Sequence, residues 1–406
     1  MHKAKNKFLL LGLFCFVSFF YSYGQTPATD PTWILQDGTH STTDLSDEFS
    51  GSSVNTTKWH VFDCTTDPYC SWGQATGMNP SYTTESGGYL NFKVDGNICP
   101  TCNCPQNCTG VNQYNTGGVQ SQSTSYSYGY LEMYAQLPGF VDGSGVAHAD
   151  KFWPAFWTSY DTYDSGTCNN PNSDHCDTYH NEIDMMDQCC NYYSDAKSTG
   201  TGVNIWTGGC NGAAYPNGHC TTNVLLPSNW MLYQHTNILC YNNQTSTTNY
   251  HKYAVEWNAG KVVFYFDDMS VSELYNSAIS MVSMFLVIDL QLSSSVNFYS
   301  GFPFSSSANS SMSLDYLRYY KLNLDCSTNT TISNSTDFTN YFNIVTPTSP
   351  GPPAVKSNIT IGTGSSSISL GSTDTKIFRA VNSITVLGDF TVPSGATLAL
   401  LPTACN

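Results

Sequence analysis

The segment Glu182-Ile183-Asp184-Met185-Met186-Asp187 carries three carboxylates within six residues. In a regular strand positions 182, 184 and 186 share one face, and 187 points the other way. A bulge near Met185-Met186 brings Asp187 round to join Glu182 and Asp184. Carboxylates a few ångströms apart raise one another's pKa, which leaves one of them protonated near neutrality. Retaining hydrolysis of a glycosidic bond needs that state. One carboxylate attacks the anomeric carbon, and a protonated partner about 5–5.5 Å away protonates the leaving oxygen. Solvated strand acids or a calcium site account for the hexapeptide alone equally well, so its surroundings decide.

Trp153 and Trp157 flank Pro154 in Phe152-Trp153-Pro154-Ala155-Phe156-Trp157. Four residues apart on a strand, both lie on one side and offer flat surfaces to sugar rings; packing in the core is the competing reading. Trp206, in Gly202-Val203-Asn204-Ile205-Trp206, is a third cleft candidate. His180 and His251 read as structural. Cys99-x2-Cys102-x-Cys104-x3-Cys108 has a metal-like spacing but lacks a second pair, and its Pro and Asn neighbours suit a disulfide-stapled loop.

The elements that position these residues are strands. Only 11% of residues are charged, while Tyr, Phe, Ser, Thr, Asn and Gly abound, a composition that suits strands and turns rather than surface helices. Residues 129–137 and 261–267 alternate apolar and polar; 253–257, 284–290 and 312–320 read as further strands. No long run has helical periodicity. The reading is an all-β, two-sheet sandwich.

Lys3, Lys5 and Lys7 precede an apolar run, Phe8 to Tyr21, and a small-residue exit at Gly24. Residues 1–24 therefore read as a secretory signal peptide, with cleavage after Gly24 and export to an extracellular location. Sixteen cysteines, one of them (Cys15) inside that segment, then imply disulfides and leave an odd thiol. The main domain is expected over 25–345 and a proline-rich linker over 346–353. A small C-terminal β module follows over 354–406, with short runs at 358–361, 367–370, 383–386 and 397–400 suggesting coil-like stacking. That module is read as a docked appendage, a cell-surface sorting element or a binding element. The net charge of −16 disfavours nucleic acid and anionic membranes as partners, and no later segment is apolar enough to span a bilayer.

Five ordered segments resemble glycoside hydrolase family 16, the laminarinase-like enzymes. They are Asp44-Leu45-Ser46-Asp47-Glu48-Phe49 with Asn55-Thr56-Thr57-Lys58-Trp59, Tyr128 to Glu132 with Leu137-Pro138, Phe152 to Trp157, His251 to Trp257 with Val263 to Asp267, and Met312 to Tyr320. The resemblance covers roughly residues 40–322. It implies a β-jelly-roll with a concave substrate cleft and catalysis with retention of configuration, without a catalytic cofactor. Glu182 maps to the nucleophile, Asp184 to the assisting acid and Asp187 to the acid/base. It also implies, as in some members, a structural Ca²⁺, with Glu48, Gly88 and Asp315 the nearest matches.

One position departs from the family pattern, Glu-x-Asp-x-x-Glu: the last acid is Asp187. The shorter arm withdraws its proton by about 1.5 Å, one carbon–carbon bond. The expected function is a monomeric, secreted, retaining endo-glycosidase acting on a polysaccharide, β-1,3- or β-1,3/1,4-glucan. A polysaccharide-binding protein with slow or no turnover, and a transglycosylase, are the alternatives.

Overall fold

In the computed structural model the described residues are 26–27, 30, 32–67, 76–94, 114–123, 126–138, 152–159, 182–187, 202–206, 231–235, 250–258, 261–275, 283–292, 311–342, 354–365, 367–403 and 405. The signal-peptide and linker expectations, residues 1–24 and 346–353, lie outside them. So do Cys99 to Cys108.

Alternation in the sequence becomes alternation between faces. Leu131, Met133 and Ala135 point from the strand Gly129–Gln136 into the main core, beside Tyr253, Val255 and Trp257 of the strand His251–Asn258. These strands belong to an eight-stranded antiparallel sheet, ordered Met269–Tyr275, Lys261–Phe266, His251–Asn258, Gly129–Gln136, Ser311–Leu322, Tyr89–Lys93 and Thr83–Ser86, with Trp33–Leu35 also paired to Ser311–Leu322. The facing sheet has seven strands, in the order Met231–His235, Gly202–Trp206, Glu182–Asp187, Phe152–Ser159, Phe285–Leu292, Gly118–Ser121 and Trp59–Val61. It supplies Phe156, Ile183, Met186, Leu286, Ile288 and Leu290 to the same core. Burying each such side chain contributes about 1.5–3 kcal/mol. The result is the all-β two-sheet sandwich that the alternation requires.

A second unit follows. Leu324–Ile332, Val355–Ile361, Thr375–Val386 and Thr397–Pro402 pair in parallel, and Ser367–Ser369 pairs in parallel with Asp389–Thr391. This is a small parallel stack with its own core of Ile332, Ile359, Ile361, Ile368, Phe378 and neighbours. It starts at Leu324, ahead of the boundary read from sequence at Ala354. The helix Ser335–Tyr341 belongs to it as well, burying Phe338 and Tyr341 in that core. Leu324–Ile332 is mostly exposed and polar, so no hydrophobic period marks it. Parallel pairing, the Lys356–Asp325 ion pair and a Cys326–Cys405 disulfide hold it in place.

Candidate active site

The acidic strand, Glu182–Asp187, lies in the seven-stranded sheet between Phe152–Ser159 and Gly202–Trp206. Against the first neighbour, Glu182 pairs with Ser159, Asp184 with Trp157, Met186 with Phe156 and Asp187 with Ala155, so the register slips by one between Asp184 and Met186. Against the second, Asp184 pairs with Asn204 and Asp187 with Gly202, with a slip in the same interval. A bulge therefore sits at Met185-Met186, and both methionines are buried in the main core. Two neighbouring side chains enter the core together, and the chain resumes with position 187 in register with Ala155. Ala155 belongs to the Trp153, Ala155, Trp157 series of its strand, and Trp157 pairs with Asp184. The backbone register thus returns position 187 to the face of Glu182 and Asp184. Four residue steps along the neighbouring strand separate the partners of 182 and 187, about 13 Å at ~3.3 Å per residue. The outer two acids must lean toward one another to act on one bond.

Glu182 is half-buried and Asp184 is buried. The side chain of Asp187 lies outside the described residues, as does that of Trp206, whose backbone pairs with Glu182. Trp153 is half-buried. Trp157, beside Asp184 in the sheet, is 6% exposed and packs with Phe62, Cys64, Met78, Ala155 and Val287.

Across the sheet the same face continues with residues that the sequence analysis passed over. Asp184, Trp157, Val287, Gln120 and His60 form one cross-strand row, and Ala155, Asp289 and Gly118 form the next. Asp289 is fully buried, and its Oδ2 accepts a 3.0 Å hydrogen bond from Trp157 Nε1. Gly118 makes room for it: a Cβ there would stand 2.8 Å from the Asp289 Cβ. Gln291 pairs with Trp153, and its buried Oε1 has no hydrogen-bond partner among the described residues. His60 contacts Asp67 at 2.8 Å through Nε2. A carboxylate inside an otherwise apolar strand run, Val287-Ile288-Asp289-Leu290, was the available signal.

The opening acids have structural partners. Asp47 accepts from Trp59 Nε1 at 2.8 Å and from the Phe49 N–H at 3.0 Å, and Lys58 donates to Asp44 at 2.9 Å and to the Ser46 carbonyl at 2.6 Å. Both Glu48 oxygens accept from Arg318, at 2.7 and 2.9 Å. Gly88 lies in the turn before Tyr89–Lys93 with φ +86°, and Asp315 lies at a register slip in Ser311–Leu322. The Glu48 carboxylate is thus engaged by a guanidinium. Among the described residues no group of three or more His, Cys, Asp or Glu converges on a common point.

No helix among the described residues is long and apolar enough to cross a membrane. No curated protein matches the chain. Among solved structures, porphyranase B from Zobellia galactanivorans aligns over 71% of this chain and 92% of its own, at 15% identity and a TM-score of 0.50. The laminarinase catalytic domain from Thermotoga maritima MSB8 aligns over 68% and 96%, at 15% identity and a TM-score of 0.45. The laminarinase from Flavobacterium sp. UMI-01 aligns over 68% and 98%, at 17% identity and a TM-score of 0.41. At such identities the likeness to porphyranase B is one of fold. The family described as "Glycosyl hydrolases family 16" matches residues 91–297, half of the chain, and that stretch holds both central strands of the acidic site. The chain belongs to glycosyl hydrolase family 16.

Proposed function

We propose that the chain is a secreted endo-glycosidase that cleaves a neutral β-glucan, β-1,3- or mixed β-1,3/1,4-linked, with retention of configuration. The observation that supports this reading is the bulge at Met185-Met186, which sets positions 182, 184 and 187 on one face of the sheet inside the family-matched region. In the proposed reaction a Glu182 oxygen attacks the anomeric carbon while the bond to the leaving oxygen breaks, and Asp187 gives that oxygen its proton. Asp187 then takes a proton from water, the hydroxide oxygen bonds to the anomeric carbon, and Glu182 departs as a carboxylate. Asp184, between them and buried, tunes the pair electrostatically. Trp153, and Trp206 from the neighbouring strand, supply stacking surfaces for the sugar rings.

The single-methylene difference at Asp187 sets the rate. A displacement of about 1 Å costs on the order of 10²-fold, and loss of general acid catalysis costs about 10²–10⁴-fold. Incubation with laminarin, lichenan, agarose, porphyran, carrageenan and xyloglucan, with reducing ends measured, tests the proposal. Release from laminarin or lichenan supports it. Absence of release from every polymer at high protein concentration overturns it in favour of a binding protein. Asp187→Glu then reads the adaptation of the site: a large rise in turnover marks the native acid as a handicap, and a fall marks a backbone tuned to Asp.

A further inference from the structure

The outer face of the eight-stranded sheet divides into two halves. In one, Tyr130, Ala254, Val263 and Tyr265 form a buried cluster with Trp33, and Arg379 of the parallel stack lies 5.8 Å over the Trp33 ring. The other half carries a row of tyrosines. Tyr89 and Tyr250 have ring centroids 5.7 Å apart, Tyr250 and Tyr134 are 5.4 Å apart, and Tyr134 and Tyr316 stack at 5.6 Å with planes 22° apart. The Arg318 guanidinium closes the row 3.8 Å above the Tyr316 ring. These rings come from four separate segments of the chain, so the row is a product of the fold and not of a local repeat.

Three properties point to a ligand. Tyr89 is 38% exposed and the other three rings are half-buried, which leaves a contiguous aromatic surface at the water boundary, the usual mark of a binding surface. Amide and hydroxyl side chains border it: Asn91 and Ser313 bond to each other at 2.5 Å, and Gln136 pairs with Ser313 across the strands. The one cation in the row is neutralised, because Glu48 takes the Arg318 guanidinium in two hydrogen bonds. A flat, extended, aromatic surface with amides and hydroxyls at its edge, its one cation paired and the Asp315 carboxylate close to Tyr250, suits neutral sugar rings, whose C–H faces pack on aromatics and whose hydroxyls need partners. The net charge of −16 acts against polyanions.

We propose that Tyr89, Tyr250, Tyr134 and Tyr316 form a second binding surface for a neutral polysaccharide chain, on the side of the sandwich opposite the acidic strand. The identity of the polymer rests on the glucanase reading above. The core separates this surface from the acid row, so one polymer segment is held at the back while another is cut at the front. On an insoluble substrate that raises the effective concentration at the cleft.

Affinity electrophoresis tests the surface in the Glu182→Gln protein, which does not consume the polymer, with laminarin and lichenan in the gel. Tyr89→Ala and Tyr250→Ala together are expected to weaken retardation about tenfold, equivalent to about 1.4 kcal/mol. In the otherwise native enzyme the same pair leaves hydrolysis of short oligosaccharides unchanged and lowers release from insoluble glucan. Tyr89→Ala alone, at an exposed ring, guards against misfolding, and Tyr89→Phe retains binding. Retardation that is unaffected by both alanine variants, in a chain that hydrolyses glucan, overturns this inference and spares the glucanase proposal. Retardation by carrageenan and not by laminarin or lichenan overturns the neutral occupant. Absence of both hydrolysis and retardation overturns both proposals.

Discussion

Replacing Asp289 by Asn retains an oxygen that accepts from Trp157 Nε1, whereas Asp289→Ala leaves that buried N–H without its acceptor. An unsatisfied buried donor costs about 1–3 kcal/mol. We therefore expect Asp289→Ala to lower the denaturant midpoint by that amount and to reduce kcat about tenfold or more through a shifted Trp157 and Asp184. Asp289→Asn should stay close to wild type in both respects, and rescue by the conservative variant identifies a positioning residue. Glu132 offers a test by pH. Burial raises its carboxyl pKa, a push that the Lys252 ammonium at 3.7 Å and Arg318 offset only in part. A raised folded-state pKa contributes stability below the unfolded value, about 4.3, that is lost as pH rises through the folded value. Glu132→Gln does not ionise, so its melting temperature relative to wild type should climb as pH rises above about 4, the unfolded value. A difference that stays constant across those melts would contradict the assignment. The acids of the central strand were legible as a cluster with an awkward spacing. Asp289 was marked only by the apolar run around it, and Glu132 was not marked at all, because a lone acid in an alternating run looks the same whether it faces solvent or is buried.

At the scale of elements, the strand Gly129–Gln136 shows how a motif that looks like sequence decoration is enforced by packing. Gly129 has φ +126°, and a Cβ there would stand 2.4 Å from the Tyr320 carbonyl oxygen and 2.9 Å from the Tyr319 ring. Tyr319 in turn donates its hydroxyl hydrogen toward the carbonyls of Ser127 and Tyr128, pinning the strand entrance. Gly129→Ala should therefore destabilise the fold by about 1–3 kcal/mol, the usual cost of overpacking, read as a lower urea midpoint at unchanged m-value. The hairpin at Asp267-Asp268 makes a similar point from the other side. Both residues have positive φ in a two-residue turn that ordinarily draws glycine or asparagine. His251, the Lys252 N–H and the Lys252 ammonium hold the two carboxylates there. Strands with strict alternation, and the bulge demanded by the acid spacing, were readable because a period of two is a strong signal. Leu324–Ile332 was not, since its pairing is with a strand beyond the proline-rich segment and it buries almost nothing of its own.

For the molecule as a whole, the question is whether the parallel stack hangs from the sandwich or is part of it. Arg379, inside the stack, donates to Asp30 near the first strand at 2.7 Å through Nε, and its Nη2 lies 2.6 Å from the same oxygen, with side-chain exposures of 8% and 0%. Asp30 also accepts from the N–H and hydroxyl of Thr32 at 3.0 and 2.5 Å, and Arg379 reaches the Thr403 hydroxyl at 3.2 Å. The backbone joins the two units as well, through Asn323 N–H to the Thr32 carbonyl and Val355 N–H to the Asn323 carbonyl. Such a joint behaves as an interior contact, in which taking away one charge strands the other. Arg379→Met should cost about 3–5 kcal/mol, while Arg379→Met with Asp30→Asn should recover part of that loss, because the neutral amide removes the unpaired buried charge and keeps an acceptor for Thr32. Chemical denaturation of the full chain, followed by tryptophan fluorescence, gives both values. A stack that is merely tethered would show Arg379→Met within about 0.5 kcal/mol of wild type, the range of ordinary surface substitutions, and would unfold in a separate transition. A docked stack instead shares a single transition with the sandwich, and Arg379→Met shifts that transition as one.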